Sequence, residues 1–363
     1  MDDGSFGIGD TPLVAIANAR SARIFAKLEQ FNPGGSIKDR IAAMMIAQAE
    51  ARGDLRPGMA IVESSSGNTA IGLAMLAARK GYRVYAVCDR NVPAAKLARI
   101  AALGAHIVYL PPTPAGFDSV ELRIALADRI AARVPGAIST AQFSNPDNAL
   151  AHFRGTGPEI WAQTGGAVRR VVAAAGTCGT VTGVGRYLKS RDRSIEVRAI
   201  EPVGSTIFGG QRGNYLIQGG GLSFTPSLLD RGVVDVARHV TDAQAIAAVY
   251  RFARETGLLV GGTAGWVLHD LYDLAETAGA DETIVGILPD GGDRYLDTIY
   301  SPDWLAAHGF AQPRAVPAEA MRDAAAVLGC AIDAFGAGDD VVALYHEMGL
   351  AVPDALREPA DAA

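Results

Sequence analysis

Apolar residues recur along this chain with two periods. In RIFAKLE (23–29), AIVES (60–64), RVYAVC (83–88), HIVYL (106–110), RRVVAAAG (169–176), EVRAIEP (196–202) and TIVGILPD (283–290) they gather in short, often β-branched runs that predict strands. In IKDRIAAMMIAQAEA (37–51), TAIGLAMLAARKG (69–81) and VELRIALADRIAARV (120–134) they return every three or four residues, which predicts helices. Strand and helix alternate, so the fold class is α/β with mostly parallel sheets. The runs between 59 and 109 form a compact βαβαβ block, which predicts two sheets in two domains: residues 1–41 with 143–310 as the larger and 42–142 as the smaller. From 311 the rhythm changes. Pro313, Pro317 and Pro353 frame alanine-rich stretches, and residues 311–363 are expected to form a C-terminal helical appendage with a frayed tail.

Composition narrows the function classes. With 363 residues, 49% hydrophobic and 20% charged, the chain can bury a sizeable core. A net charge of −6 argues against nucleic acid or an anionic membrane as principal partner and points to small molecules. No apolar stretch is long enough for a membrane span, and MDDGSFGIGD lacks the character of a signal peptide, so the expected location is the cytoplasm. Cys88, Cys178 and Cys330 are too few and too scattered for a disulfide framework or a zinc site, and no metal site is expected. Cys88 and Cys330 are expected to be buried, inert thiols.

One lysine-bearing turn and three polar turns between strand and helix carry candidate chemistry. FNPGGSIKDR (31–40) offers an irregular turn, Ser36 as N-cap and Lys38 in the first turn of a helix. The positive end of a helix destabilises an ammonium there and favours the nucleophilic neutral amine. GTCGT (176–180), between an apolar strand and a helix, presents backbone amides and the hydroxyls of Thr177 and Thr180 to a phosphate. It is neither a Walker loop nor a dinucleotide fingerprint. VESSSGNTAIGLA (62–74) repeats the grammar with more hydroxyls than capping requires, which suits a carboxylate. VGGTAGWVL (260–268) is a third such turn, with a neutral hydroxyl at Thr263.

A neutral lysine, a phosphate cradle and a carboxylate cradle are the parts needed to hold an amino acid on pyridoxal phosphate. Over roughly residues 8–308 the chain resembles the cysteine synthase and cystathionine β-synthase family of fold-type II (tryptophan synthase β-like) pyridoxal-phosphate enzymes. The resemblance rests on NPGGSIKDR, SSGNT, HFRGTGPEI, GTCGT, GGTAG and GDRYL, in that order. It implies that Lys38 carries the cofactor as a Schiff base and that Asn68 bonds its ring hydroxyl. Gly176, Thr177, Cys178, Gly179 and Thr180 would hold its phosphate, and Thr263 would face the pyridine nitrogen. Ser65, Ser66, Thr69 and Gln142 would grip the substrate carboxylate. Cys178 stands where glycine or threonine is common, Ser65 where threonine is common and Ala70 where glycine is usual.

The resemblance implies β-replacement on an O-activated L-serine, O-acetylserine or O-phosphoserine, through an aminoacrylate intermediate. Cysteine synthesis with sulfide comes first. Next come the siderophore-pathway branch that joins O-phosphoserine to glutamate, suggested by GSTIFG (204–209) and ILPDGGDRYLDTIYSPDWL (287–305), and then cystathionine synthesis or cysteine desulfhydration. From another class, a cofactor-binding sensor or scaffold is set aside because the lysine and loops are intact. Arg212, in FGGQRGNYLIQGGG (208–221), is a candidate reader of a substrate phosphate. The family also implies a homodimer.

Overall fold

The computed structural model describes residues 6–16, 22–90, 92, 94–112, 119–279 and 281–311. Cys330 and the appendage beyond 311 lie outside the described residues. The elements, in chain order, are β1 (Leu13–Ala15), β2 (Arg23–Leu28), α1 (Lys38–Arg52), β3 (Ala60–Ser64), α2 (Asn68–Lys80), β4 (Arg83–Cys88), α3 (Ala94–Ala102), β5 (His106–Tyr109), α4 (Ser119–Arg133) and β6 (Ala137–Ser139). They continue with α5 (Pro146–Ala151), a π-helical turn (His152–Thr156), α6 (Gly157–Gln163), β7 (Val168–Ala174), α7 (Gly179–Arg191), β8 (Glu196–Pro202), β9 (Val236–Val240), α8 (Asp242–Thr256), α9 (Gly262–Thr277), β10 (Thr283–Leu288) and α10 (Pro302–Ala307).

Two sheets organise the residues up to Ser301, which form one compact unit. The larger has the order β1-β2-β10-β7-β8-β9, parallel except for the β1–β2 pair; the smaller, β5-β4-β3-β6, is parallel throughout. All strands of the smaller sheet fall within 42–142 and all those of the larger outside it. On that distribution the division at 41/42 and 142/143 is proposed as the domain boundary. Parallel strands covered by helices on both faces read as apolar runs, as β3 and β10 do, with every residue buried. A second unit starts at Pro302, in which the Trp304 ring stacks on Phe310 at 5.9 Å.

The polar turns sit at the C-terminal ends of parallel strands, where amides at the start of the following helix point outward: β3 feeds α2 and β7 feeds α7. Among the described residues no helix is long and apolar enough to cross a membrane.

Candidate active site

Lys38 is the first residue of α1, and its neighbours in SIKDR fix it there. Gly35 takes a left-handed φ of +79°, which glycine adopts without strain, and turns the chain into the helix. The buried Asp39 reaches back so that its Oδ2 accepts the Gly34 N–H at 2.5 Å. Burial drives this carboxyl up to about 6, against the pull of the Gly34 amide, Arg294 and Arg99. Arg40 binds Glu29 at 2.6 Å and Glu159 at 2.5 Å, and Lys27 Nζ binds Glu159 at 2.7 Å. Ser36 is not the N-cap. Ile37 holds that position, one residue later, and Ser36 Oγ accepts the Lys38 N–H at 3.2 Å.

The Lys38 side chain lines a cavity, and its pKa is lowered from 10.5 to about 8. Desolvation is the cause, outweighing the opposing charges of Glu63 and Asp290, whereas the sequence had pointed to the helix end. The lowering favours the neutral amine at neutral pH by roughly 300-fold over a free lysine.

The turn between β7 and α7 forms another wall of the same cavity through Gly176, Thr177, Cys178 and Thr180. Cys178 is the N-cap of α7, with a left-handed φ of 63° that disfavours a non-glycine residue by about 1–2 kcal/mol. Its side chain is buried among apolar residues of the larger sheet, and burial pushes the thiol up to about 12, which keeps it neutral. Gly179 does not line the cavity; a Cβ on it would run into the side chain of Asn148. Asn148 Nδ2 donates to Thr177 Oγ1 at 3.1 Å and to the Gln142 carbonyl at 2.8 Å. Thr180 Oγ1 lies 3.2 Å from His152 Nε2, and His152 Nδ1 lies 2.9 Å from Thr156 Oγ1. Burial, with Arg40 and Lys38 nearby, holds His152 well below its usual pKa, so it is neutral.

Asn68 and Thr263 also line the cavity, as do Asp290 and Tyr295. Asn68 Nδ2 donates to Asp290 Oδ2 at 2.8 Å, and its Oδ1 accepts from Arg294. The Tyr295 hydroxyl donates to the same Asp290 oxygen at 2.7 Å. Thr263 Oγ1 donates to the Gln218 carbonyl at 3.1 Å.

The candidate carboxylate grip is arranged differently. Ser65, Ser66, Thr69 and Gln142 gather around the β3–α2 turn, yet none lines the cavity. Ser65 Oγ accepts from the Gly67 and Ala70 amides, and Ser66 Oγ from the Asp89 amide and Arg123. Thr69 Oγ1 donates to Gln142 Oε1 at 2.7 Å, while Gln142 Nε2 donates to Glu63 Oε1 and the Ser64 carbonyl. These bonds shape the turn at the α2 N-terminus, and Ser65 and Ser66 act in them as acceptors. Arg212 is exposed on its loop and does not line the cavity. Sequence reasoning passed over Glu63, Asn148, His152, Asp290 and Tyr295. His152 and Tyr295 lay inside the motifs HFRGTGPEI and GDRYL; Asn148 carried no signal.

The donor set fits pyridoxal phosphate. Amides and hydroxyls at the start of the 13-residue helix α7 suit its dianionic phosphate, and the depressed amine of Lys38 in the same cavity suits its aldehyde.

Known proteins agree. The pyridoxal-phosphate dependent enzyme family matches residues 4–290. Cystathionine beta-synthase of Apis mellifera is 39% identical over 323 residues, 86% of this chain and 64% of that protein, so this chain spans under two thirds of that relative's length. N-(2-amino-2-carboxyethyl)-L-glutamate synthase of Ralstonia nicotianae is 39% identical over 302 residues, 82% of this chain and 89% of that protein. The crystal structure of an O-acetylserine dependent cystathionine beta-synthase from Helicobacter pylori superposes with a TM-score of 0.77 at 30% identity, covering 83% of this chain and 99% of that one. Fold, cavity and relatives converge, and the chain belongs to the pyridoxal-phosphate dependent enzymes of fold type II, in the cysteine synthase and cystathionine β-synthase family.

Proposed function

We propose that this chain catalyses β-replacement on an O-activated L-serine, with O-acetylserine or O-phosphoserine as donor. The observation that carries the proposal is Lys38, an amine of pKa about 8 in the same cavity as the GTCGT turn and Thr263. The chemistry that the bound cofactor supplies is electron withdrawal from the α-carbon of a substrate joined to it through nitrogen. Lys38 Nζ, freed by the substrate amine and far more readily neutral than a free lysine, takes the α-proton, and the β-substituent leaves. Thr263 would face the ring nitrogen with a hydroxyl, which would not hold that nitrogen protonated as a carboxylate would. A weaker electron sink favours loss of a good β-leaving group over transamination. The relatives support the donor: the names N-(2-amino-2-carboxyethyl)-L-glutamate and cystathionine each describe a serine-derived three-carbon unit joined to a nitrogen or sulfur nucleophile.

Sulfide, giving cysteine, is the simplest nucleophile. Glutamate is a second nucleophile on this reading, since the chain is similar to N-(2-amino-2-carboxyethyl)-L-glutamate synthase over 89% of that protein's length. The test offers purified holoenzyme each donor in turn, then sulfide, glutamate and homocysteine, and identifies products by mass. Expected is an adduct equal to donor plus nucleophile minus acetate or phosphate. Pyruvate and ammonia as sole products with every pair would exclude replacement.

A further inference from the structure

Three cations lie near one another at the rim of the cavity, and among the described residues none of them makes a salt bridge. Lys96 and Arg99 lie on α3, about one turn apart, and Arg294 lies in the turn after β10. Arg99 Nη2 donates to the Gly34 carbonyl at 3.0 Å, and Arg294 Nη2 donates to that same carbonyl. Arg294 Nη1 reaches Asn68, and Lys96 Nζ stands 5.0 Å from the centroid of the Tyr295 ring. Asn68 and Tyr295 both line the cavity, which fixes the cluster at its edge. Among the described residues no salt bridge includes Lys96, Arg99 or Arg294, although most other buried or half-buried arginines here have one.

Two guanidinium ions on one neutral carbonyl repel each other and leave most of their N–H donors to other partners. The neighbouring carboxylates Asp39 and Asp290 are each engaged through one oxygen with other groups: Asp39 Oδ2 takes the Gly34 amide, and Asp290 Oδ2 takes Asn68 and Tyr295. Arg294 depresses the proton affinity of both Lys96 and Arg99, behind desolvation and, for Lys96, the opposing pull of Asp290 and Asp297, as expected where like charges crowd. An oxyanion placed among the three would relieve that repulsion and take up the idle donors.

We propose that Lys96, Arg99 and Arg294 form an oxyanion subsite for a reactant's distal charge, either the side-chain carboxylate of an acidic amino acid acting as nucleophile or the phosphoryl group of O-phosphoserine. The proposal rests on the β-replacement reading. It gives that reaction a selection rule, because a neutral nucleophile gains nothing from the cluster.

Three measurements on the holoenzyme and on its exposed-site variant Arg99→Ala, with Lys96→Ala as a second variant, decide it. Glutarate, an unreactive dicarboxylate, is titrated by calorimetry and should bind each variant roughly ten- to a hundredfold more weakly than wild type. With O-acetylserine as donor, glutamate is then compared with glutamine, which keeps the amine and lacks the charge. A ten- to hundredfold rise in KM for glutamate alone assigns the subsite to the nucleophile. The same loss in efficiency with O-phosphoserine, and none with O-acetylserine, assigns it to the donor. Glutarate affinity and all kinetic arms within about twofold of wild type, or equal losses in every arm, overturn the subsite. Absence of any change in cofactor absorbance with both donors overturns the β-replacement reading instead, and the glutarate titration still decides the subsite.

Discussion

At Lys38 a single equilibrium governs whether the cofactor can be captured. Because the amine has a pKa of about 8, the ammonium dominates below that pH and the nucleophilic form above it. Attachment of pyridoxal phosphate to cofactor-free protein should therefore accelerate with pH and level off just above 8, with a rate at pH 6 roughly 100-fold below the plateau. Stopped-flow absorbance would record this, and a rate still climbing at pH 10 would mean that Lys38 is as solvated as a free lysine. The lysine and the cofactor turn were legible in the sequence because each needs residue types that a plain turn does not: clustered glycines, hydroxyls beside a strand end, a lysine at a helix start. What each hydroxyl touches was not legible. Ser66 Oγ could face a ligand or the Asp89 amide, and only tertiary packing of the β4 end selects the latter. Asn148 and His152 look like ordinary helix residues in NPDNALAHF, and their meaning arises from contacts 29 and 28 residues downstream, respectively.

Among elements, the apolar strands and amphipathic helices announced themselves, while β1 and β6, three residues each, carry too few positions for a period to show, and β9 interrupts its apolar residues with Arg238 and His239. The antiparallel β1 is an edge strand that no alternation in LVA could reveal. Also hidden was the ion network that pins α1. Glu159 of α6 joins Arg40 of α1 to Lys27 of β2, and the Lys27 side chain is fully buried. Burial alone would raise the Glu159 carboxyl, but Arg40 and Lys27 hold it down to about 2. Its contribution to stability is thus present above the unfolded value of about 4.5 and lost as pH falls towards 2. Glu159→Gln should destabilise the cofactor-free protein by about 3–5 kcal/mol at pH 7, since it leaves two cations under-partnered in the interior. Urea unfolding should show the gap from wild type narrowing between pH 4.5 and 2. A gap independent of pH would mean that the carboxylate's charge is not what the network uses.

Across the whole molecule, the two sheets were foreseeable from the compact strand block at 59–109, but nothing in the pattern showed how the smaller sheet's turn communicates with the larger sheet's. Gln142 follows β6 of the smaller sheet, Thr177 follows β7 of the larger, and the one amide of Asn148 holds both. A ligand that draws Thr177 towards its phosphate is expected to pull, through Asn148, on the loop that sets Gln142, Thr69 and the α2 N-terminus, and so to couple the filling of the two halves of the site. Thermodynamic reciprocity then requires that the factor by which pyridoxine 5′-phosphate changes the affinity of cofactor-free protein for serine equals the factor by which serine changes its affinity for pyridoxine 5′-phosphate. With Asn148 intact that factor should exceed about fivefold, and with Asn148→Ala it should fall towards one, as paired titrations would record. Independent binding in the unaltered protein would show that the amide is only a brace. Otherwise it is the joint through which an empty cofactor site leaves the substrate unrecognised, so that amino acids are received only by enzyme equipped to transform them.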